Sequence, residues 1–326
     1  VFSNLLIFIF NLALVVLFGW LTWKAIRAPK LWVKILGGLG AGLMTLICLV
    51  VAFLGGKGLA SIYAPPVPAA ANLAVAGTPE QLARGEYLVN LSCVGCHGAA
   101  DSNGNPSGVQ PLTGGWNIAA AEGFGFVGDM VTENLTTGGK LASYSDGELF
   151  RTLRHGVDQD GDRLGFMALL PYAQLSDTDT EAIIAYLRSL PAETTNVPTG
   201  DKFSYVGMIM YGAGIFGEVA PGAETVTVPP EGETVEYGKY VATYAECRGC
   251  HGPDAEGAPG VMGSPPIPNP RPLVTTLTLE QFAEMMKTGV RPNGIPFPET
   301  MPWEVASRLT DSDLAALYAY LVAPVE

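Results

Sequence analysis

Two short stretches concentrate residue types that bind metals and cofactors: "SCVGCHG" at 92–98 and "ECRGCHG" at 246–252. Each sets two thiols and an imidazole within five positions, namely Cys93, Cys96 and His97, then Cys247, Cys250 and His251. Zinc needs four ligands, whereas each stretch supplies three locally, and a site pooled from both would waste the repetition. A thioredoxin-like dithiol calls for C-x-x-C beside a βαβ pattern, which the sequence lacks. C-x-x-C-H is the attachment signature of c-type haem: the thiols form thioethers to the vinyl groups and the adjacent histidine binds iron. The spacing predicts two covalently attached haem c groups, with His97 and His251 as proximal iron ligands.

An electron-carrying haem needs a second axial ligand, commonly a thioether, which raises the reduction potential. Among nine methionines, Met167 and Met301 each precede by eight residues a Leu (Leu175, Leu309) that opens an "L-S/T-D-x-D" helix start. They are the predicted distal ligands. Met130 competes in the first copy but has no counterpart in the second. His155 would give a bis-histidine site, yet it aligns with Thr288 and precedes a Gly turn. It reads as a polar partner for a haem propionate or an exposed residue rather than a ligand.

These residues recur in an ordered duplication. "RGEYLVNLSCVGCHG" parallels "YGKYVATYAECRGCHG" with one residue inserted in the second copy, "LRHGVDQDG" at 153–161 parallels "MKTGVRPNG" at 286–294, and "LSDTDTEAIIAYLRSL" at 175–190 parallels "LTDSDLAALYAYLVAP" at 309–324. Matches in the same order mean a duplicated domain. Thr78, Pro79 and Gln81 supply an N-cap, a first-turn proline and a capping-box partner for a helix leading into the first thiol pair. Apolar residues at helical spacing (Ile183, Ile184, Leu187, Leu190; Leu314, Leu317, Tyr318, Leu321) predict an amphipathic helix closing each copy.

Charge divides the chain differently. Residues 1–60 carry Lys24, Arg27, Lys30, Lys34 and Lys57 with no acid, leaving 13 basic against 31 acidic residues in 61–326. The apolar runs 5–23 and 35–54 each match a hydrocarbon core of about 30 Å at about 1.5 Å per residue. They predict a transmembrane hairpin, since a signal peptide or a buried soluble helix does not account for two adjacent spans. The basic turn between them is expected on the cytoplasmic side, with Trp20, Trp23 and Trp32 at that interface. The acidic body then faces the periplasm of a bacterial inner membrane. Gly38 and Gly42 have the spacing for close helix approach, and Cys48 reads as a small core residue. The resulting division is 1–56 hairpin, 57–77 Pro/Ala-rich tether, 78–195 first domain, 196–230 apolar linker and 231–326 second domain. Within the linker, 203–217 is too short and Gly-rich to span a bilayer. Packing across the domain junction is expected of it, with a partner-facing or membrane-surface patch as the alternative.

The order C-x-x-C-H, "LRHGVDQDG", Met and "LSDTDTEAIIAYLRSLP" resembles class I cytochrome c domains, especially the haem modules of cytochrome subunits in membrane-bound dehydrogenases. "TENLTTGGKLASYSDGELF" at 132–150 resembles the insert that such modules carry. The resemblance covers residues 78–326 and implies a mainly α fold, the hairpin being followed by two all-α class I cytochrome c domains. It also implies that a proline carbonyl after the thiol motif accepts a hydrogen bond from the proximal histidine. Pro111 is the candidate in the first copy, and Pro265, Pro266, Pro268, Pro270 and Pro272 are those in the second.

The expected function is electron transfer by a membrane-anchored dihaem cytochrome c within a quinol-oxidising, photosynthetic or terminal-oxidase complex. A cytochrome subunit of a membrane-bound dehydrogenase is the alternative, and a dihaem peroxidase-like enzyme, in which Met167 leaves the first haem open, is the rival. The acidic body is expected to dock on a basic surface, such as a basic soluble electron carrier, and not on nucleic acid.

Overall fold

The computed structural model describes residues 1–195, 198–217, 219, 222–260, 265–298 and 300–325. Parts of the expected linker, at 196, 197, 218, 220 and 221, lie outside the described residues. The long helices are α1 (Phe2–Ile26), α2 (Gly38–Tyr63), α3 (Pro79–Leu88), α4 (Asp146–His155), α5 (Asp177–Ser189), α6 (Tyr205–Gly212), α7 (Val235–Tyr244), α8 (Leu279–Thr288) and α9 (Asp311–Val322). A two-stranded sheet, β1 (Gly128–Val131) and β2 (Gly200–Phe203), is antiparallel with Gly128 opposite Phe203. The fold is mainly helical, as expected.

Helices α1 and α2 form an apolar hairpin. Gly42 and Gly38 admit Thr22 Cγ2 and Ile26 Cγ1 of α1 at 3.7 and 3.8 Å from where a Cβ would stand. Thr22 and Thr45 hydroxyls meet at 3.3 Å across the pair. The small-residue face therefore serves the hairpin itself, and Cys48 is buried within it.

One boundary differs from the sequence expectation. Helix α2 continues through "GGKG" to Tyr63, so the extended segment starts at Ala64 rather than at 57. Glycine costs a helix up to about 1 kcal/mol per residue, and packing offsets it here: a Cβ at Gly58 would collide with the Met208 carbonyl and one at Gly55 with the Tyr205 ring. Nor does the extended segment hang free. Val75 N–H donates to Asp146 Oδ2 (2.9 Å), and Gly147 makes room for the Ala71 carbonyl.

Segment 203–217 does not pack across the domain junction. Its helix α6 lies against α2 and the 116–131 segment of the first domain, in a cluster of Ile62, Val127, Met130, Phe203, Tyr205 and Met208 with Phe8 and Trp116 at its edge. Asn4 at the start of α1 donates to the Phe203 carbonyl (2.8 Å), and Arg163 donates to the Ser61 carbonyl (3.1 Å). The hairpin is thus bolted to the first domain. The physical reason is glycine: Gly207 and Gly212 let the Val127 and Leu54 carbonyls approach α6 from two sides.

The two domains repeat one packing scheme. Thr78 caps α3 in the expected capping box, and Ser176 and Thr310 cap α5 and α9 through the amides of Asp179 and Asp313 (both 3.1 Å). Helix α3 crosses α5 where Gly85 meets the Ala182 carbonyl; α7 crosses α9 where Gly238 meets that of Ala316.

The domains also contact each other reciprocally, sharing one apolar core. Tyr87 of α3 donates to Asp313 Oδ2 (2.5 Å) and accepts from Thr310 N–H (3.3 Å). Its counterpart Tyr240 of α7 donates to Asp179 Oδ2 (2.7 Å) and accepts from Ser176 N–H (2.9 Å). Corresponding residues exchange the same bonds in both directions, the signature of a pseudo-twofold interface. Arg308 adds donations to the Asn90 and Gly108 carbonyls (2.7 and 2.9 Å).

Candidate haem-attachment sites

In the first copy the chain runs without interruption from α3 through a wide π-helical turn, Val89–Cys93, into Val94–His97. In the second, α7 ends at Tyr244 and the chain restarts at Cys247–His251. Between them lie Ala245 and Glu246, where the second copy is one residue longer than the first, and Glu246 is held in the left-handed region at φ 60°. A non-glycine residue there is uncommon and costs about 1 kcal/mol or more. Its side chain supplies the compensation: the Tyr172 hydroxyl of the first domain donates to Glu246 Oε1.

All four motif thiols are free, so neither pair is a disulfide. Burial pushes Cys93 well above the usual thiol range and Cys96 up to about 12, and the nearby Glu246 charge adds to both. In the second motif Cys247 is pushed up to about 12 and Cys250 is raised, burial again first and Glu246 contributing. A reactive dithiol needs a lowered thiol pKa in an electropositive setting. The buried setting here, beside an acidic residue, is the reverse and does not favour a reactive dithiol. Zinc has no support either: among the described residues no group of three His, Cys, Asp or Glu side chains is placed to hold a metal ion.

Each motif histidine is oriented by a backbone carbonyl. His97 Nδ1 lies 2.8 Å from the Glu133 carbonyl, and His251 Nδ1 lies 2.9 Å from that of Pro268. A carbonyl only accepts, so Nδ1 carries the proton and Nε2 keeps a free lone pair. Burial also lowers the His97 pKa, favouring the neutral imidazole that binds metals. Among the five prolines expected in the second copy, Pro268 is the acceptor. In the first copy the expected Pro111 is not: its carbonyl takes the Ala99 N–H (2.9 Å). The insert explains the difference. Its main chain comes down over Gly114, whose φ of 63° and missing Cβ admit the Thr132 and Glu133 carbonyls, and Gly115 N–H donates to Thr132 O (2.9 Å).

Met167 opens a short 3-10 turn, Met167–Leu169, and packs against the same apolar core as Cys93. Met301 precedes the Trp303–Ser307 helix and packs against that core with Cys247. Their loops cross matching glycines: Ala168 lies over Gly156 and Trp303 over Gly289, the left-handed caps of α4 and α8. Met130 belongs instead to the cluster joining the hairpin to the first domain. His155 is half-buried at the end of α4 against Gly222, its pKa lowered by burial and by Arg154 and Arg151.

The family described as "Cytochrome c" matches residues 82–191 and 235–323, one stretch for each copy. This chain belongs to the cytochrome c family. It is similar to the fructose dehydrogenase cytochrome subunit of Gluconobacter japonicus, 31% identical over an alignment of 105 residues, gaps included, that covers 28% of this chain and 22% of that protein. It is also similar to the gluconate 2-dehydrogenase cytochrome c subunit of Pantoea cypripedii, 36% identical over 32% of this chain and 22% of the relative. The cytochrome c subunit of a quinone alcohol dehydrogenase from Gluconacetobacter polyoxogenes is 29% identical over 36% of this chain and 28% of that subunit. The chain thus spans between a fifth and a third of the length of the curated relatives it matches.

A cytochrome c domain implies covalently bound haem c, and the residues present fit that group. Each motif offers two unbridged thiols spaced for the vinyl groups and a histidine with Nδ1 tied and Nε2 free. Sequence reasoning missed Glu133, Glu246 and Tyr172. The one-residue insertion before Cys247 was a visible signal only that the second copy departs there from the first. A backbone carbonyl such as that of Glu133 leaves no side-chain signal.

Proposed function

We propose that this chain is a membrane-anchored dihaem cytochrome that carries electrons outside the cytoplasm as a subunit of a membrane-bound dehydrogenase. The observation that carries the proposal is the closeness of the two attachment motifs. Ser92, directly before Cys93, donates to the Tyr244 carbonyl three residues before Cys247 (2.7 Å), and the Tyr172 hydroxyl of the first domain donates to Glu246, directly before Cys247, so both motifs start at the domain interface. Haem c, when bound, supplies a one-electron couple at each site.

The chain's own residues define the sites. Cys93, Cys96, Cys247 and Cys250 hold the two groups covalently, and His97 and His251 present Nε2 to the iron. Met167 and Met301 would each supply a thioether to the iron, leaving no vacancy for oxygen or peroxide and disfavouring a peroxidase. The interlocked Tyr87 and Tyr240 bonds keep the sites at a fixed separation, as a short wire requires. The hairpin anchors the assembly, its basic turn on the cytoplasmic side.

The relatives' names favour a dehydrogenase complex over the quinol-oxidising, photosynthetic or oxidase assemblies also expected from the sequence. By their names those subunits serve fructose, gluconate and alcohol dehydrogenases, so the catalytic partner sought here oxidises a small hydroxylated substrate. Purification in mild detergent tests this. A co-purifying dehydrogenase subunit whose substrate reduces both haems is expected; co-purification with quinol-oxidising or oxidase subunits alone would refute it. Haem content provides the second check: Cys93→Ser with Cys96→Ser, or Cys247→Ser with Cys250→Ser, should each halve it.

A further inference from the structure

Among the described residues, no segment covers the outward side of α6. Val206 is 49% and Ile215 45% exposed, and Phe126 on the adjoining turn is 52% exposed. Ile209 shares the Val206 face at helical spacing. Ser204 Oγ donates to the Phe126 carbonyl (2.7 Å), so the turn and the helix form one surface. The helix reads YVGMIMYG without a charged residue, whereas a surface helix in water keeps a polar face.

The level of this patch follows from the hairpin. The apolar run 35–54, most of it in α2, fills a hydrocarbon core of about 30 Å, and the closest approaches to α6 come at its outer end, from Leu54 to Gly58. At the other helix, Asn4 precedes the 5–23 run and bonds the residue opening the α6 segment. In those approaches α6, from Tyr205 to Gly212, meets α2 at the outer end of its apolar run, and Leu59 and Ile62 beyond it join the same cluster. Lys57, exposed on the same turn of α2, has the stem length to reach lipid phosphates.

We propose that Phe126, Val206, Ile209 and Ile215 form a shelf seated in the headgroup–acyl boundary of the outer leaflet. The proposal rests on the transmembrane reading of the hairpin. The shelf sets the height and tilt of the first domain, because β1 connects it to the first attachment site. Met130 in β1 is buried in the shelf's supporting cluster, and Glu133, two residues past the strand, holds His97. A membrane contact and a proximal histidine thus share one segment of backbone.

The test uses the full-length holoprotein in vesicles of phosphatidylcholine and phosphatidylglycerol, doped with a phospholipid bearing a photoactivatable diazirine near its glycerol. After irradiation, adducts are mapped by mass spectrometry. Peptides containing Phe126 and Val206–Ile215 should carry about tenfold more adduct than the exposed turn at 290–295 of the second domain, as for an interfacial helix. The paired variant Phe126→Asp, Val206→Asp should bring that ratio to near one while leaving adducts on α1 and α2. Adducts on α1 and α2 with none above the 290–295 level on α6 would overturn the shelf and leave the hairpin standing, as for a surface bare to water or covered by protein. Absence from α1 and α2 as well would overturn the transmembrane reading itself.

Discussion

Replacing Tyr240 by Phe removes one oxygen from the domain interface and nothing else, so its cost can be worked from the contacts. The residue is 6% exposed, and its hydroxyl donates to Asp179 (2.7 Å) while accepting the Ser176 N–H (2.9 Å). Losing a hydrogen bond to a charged group costs about 1.5–3 kcal/mol, and stranding a buried donor such as the Ser176 N–H costs about 1–3. Asp179 keeps its paired contacts from Arg84 (both 2.8 Å), so the carboxylate itself is not orphaned. The two losses share one oxygen and do not add fully; the expected cost is about 3 kcal/mol. The control is Tyr318→Phe, whose hydroxyl donates to the Leu277 carbonyl within the second domain (2.8 Å), expected to cost about 1 kcal/mol. Guanidinium denaturation of the detergent-solubilised protein, followed by far-ultraviolet circular dichroism, measures both. Tyr240→Phe should also broaden or split the transition, because it uncouples domains that otherwise unfold together. A Tyr240→Phe protein within about 0.5 kcal/mol of the parent, with Tyr318→Phe behaving as stated, would refute the interlocked interface.

Met167→Ala and Met301→Ala should each open one axial position, so the reduced variants bind carbon monoxide with a spectral change that the parent lacks; an unchanged Met167→Ala spectrum would remove that residue as a ligand. Burial pushes the Glu246 carboxyl up to about 7 from an ordinary 4.5, against the lowering effect of the Tyr172 hydroxyl. The folded chain therefore holds a proton that the unfolded chain releases between those values, and stability falls as pH rises across that window, by at most about 3 kcal/mol. Glu246→Gln should flatten this slope in pH-dependent denaturation. Gly58→Ala should undock α6 from α2, costing about 2–4 kcal/mol in thermal unfolding, because the new Cβ meets the Met208 carbonyl. Gly40→Ala, with nothing within 4 Å, should be neutral or slightly stabilising.

Several elements could be read directly from residues in order along the chain. Thr78, Pro79 and Gln81 announced α3, and "SDTD" and "TDSD" announced α5 and α9, because capping acts over a single turn. The small-residue face of α2 was equally legible, since helix periodicity fixes which residues share a side. The linker was misjudged for the opposite reason. An apolar octapeptide states that it must be covered, but not by which of several apolar surfaces.

By itself the sequence determined the duplication, the two C-x-x-C-H motifs and the apolar hairpin, which rest on residue type and local spacing, and its motifs in order carried the resemblance to cytochrome c domains. Only the tertiary structure decided that Glu133 rather than Pro111 holds His97, that Pro268 holds His251, and that α6 fastens the hairpin to the first domain. It alone brought Glu246 of one domain to Tyr172 of the other. The physical reason is common to all of these. They depend on backbone carbonyls, missing Cβ atoms and surfaces separated by tens to hundreds of residues, and such meetings are chosen by packing, which linear spacing does not encode.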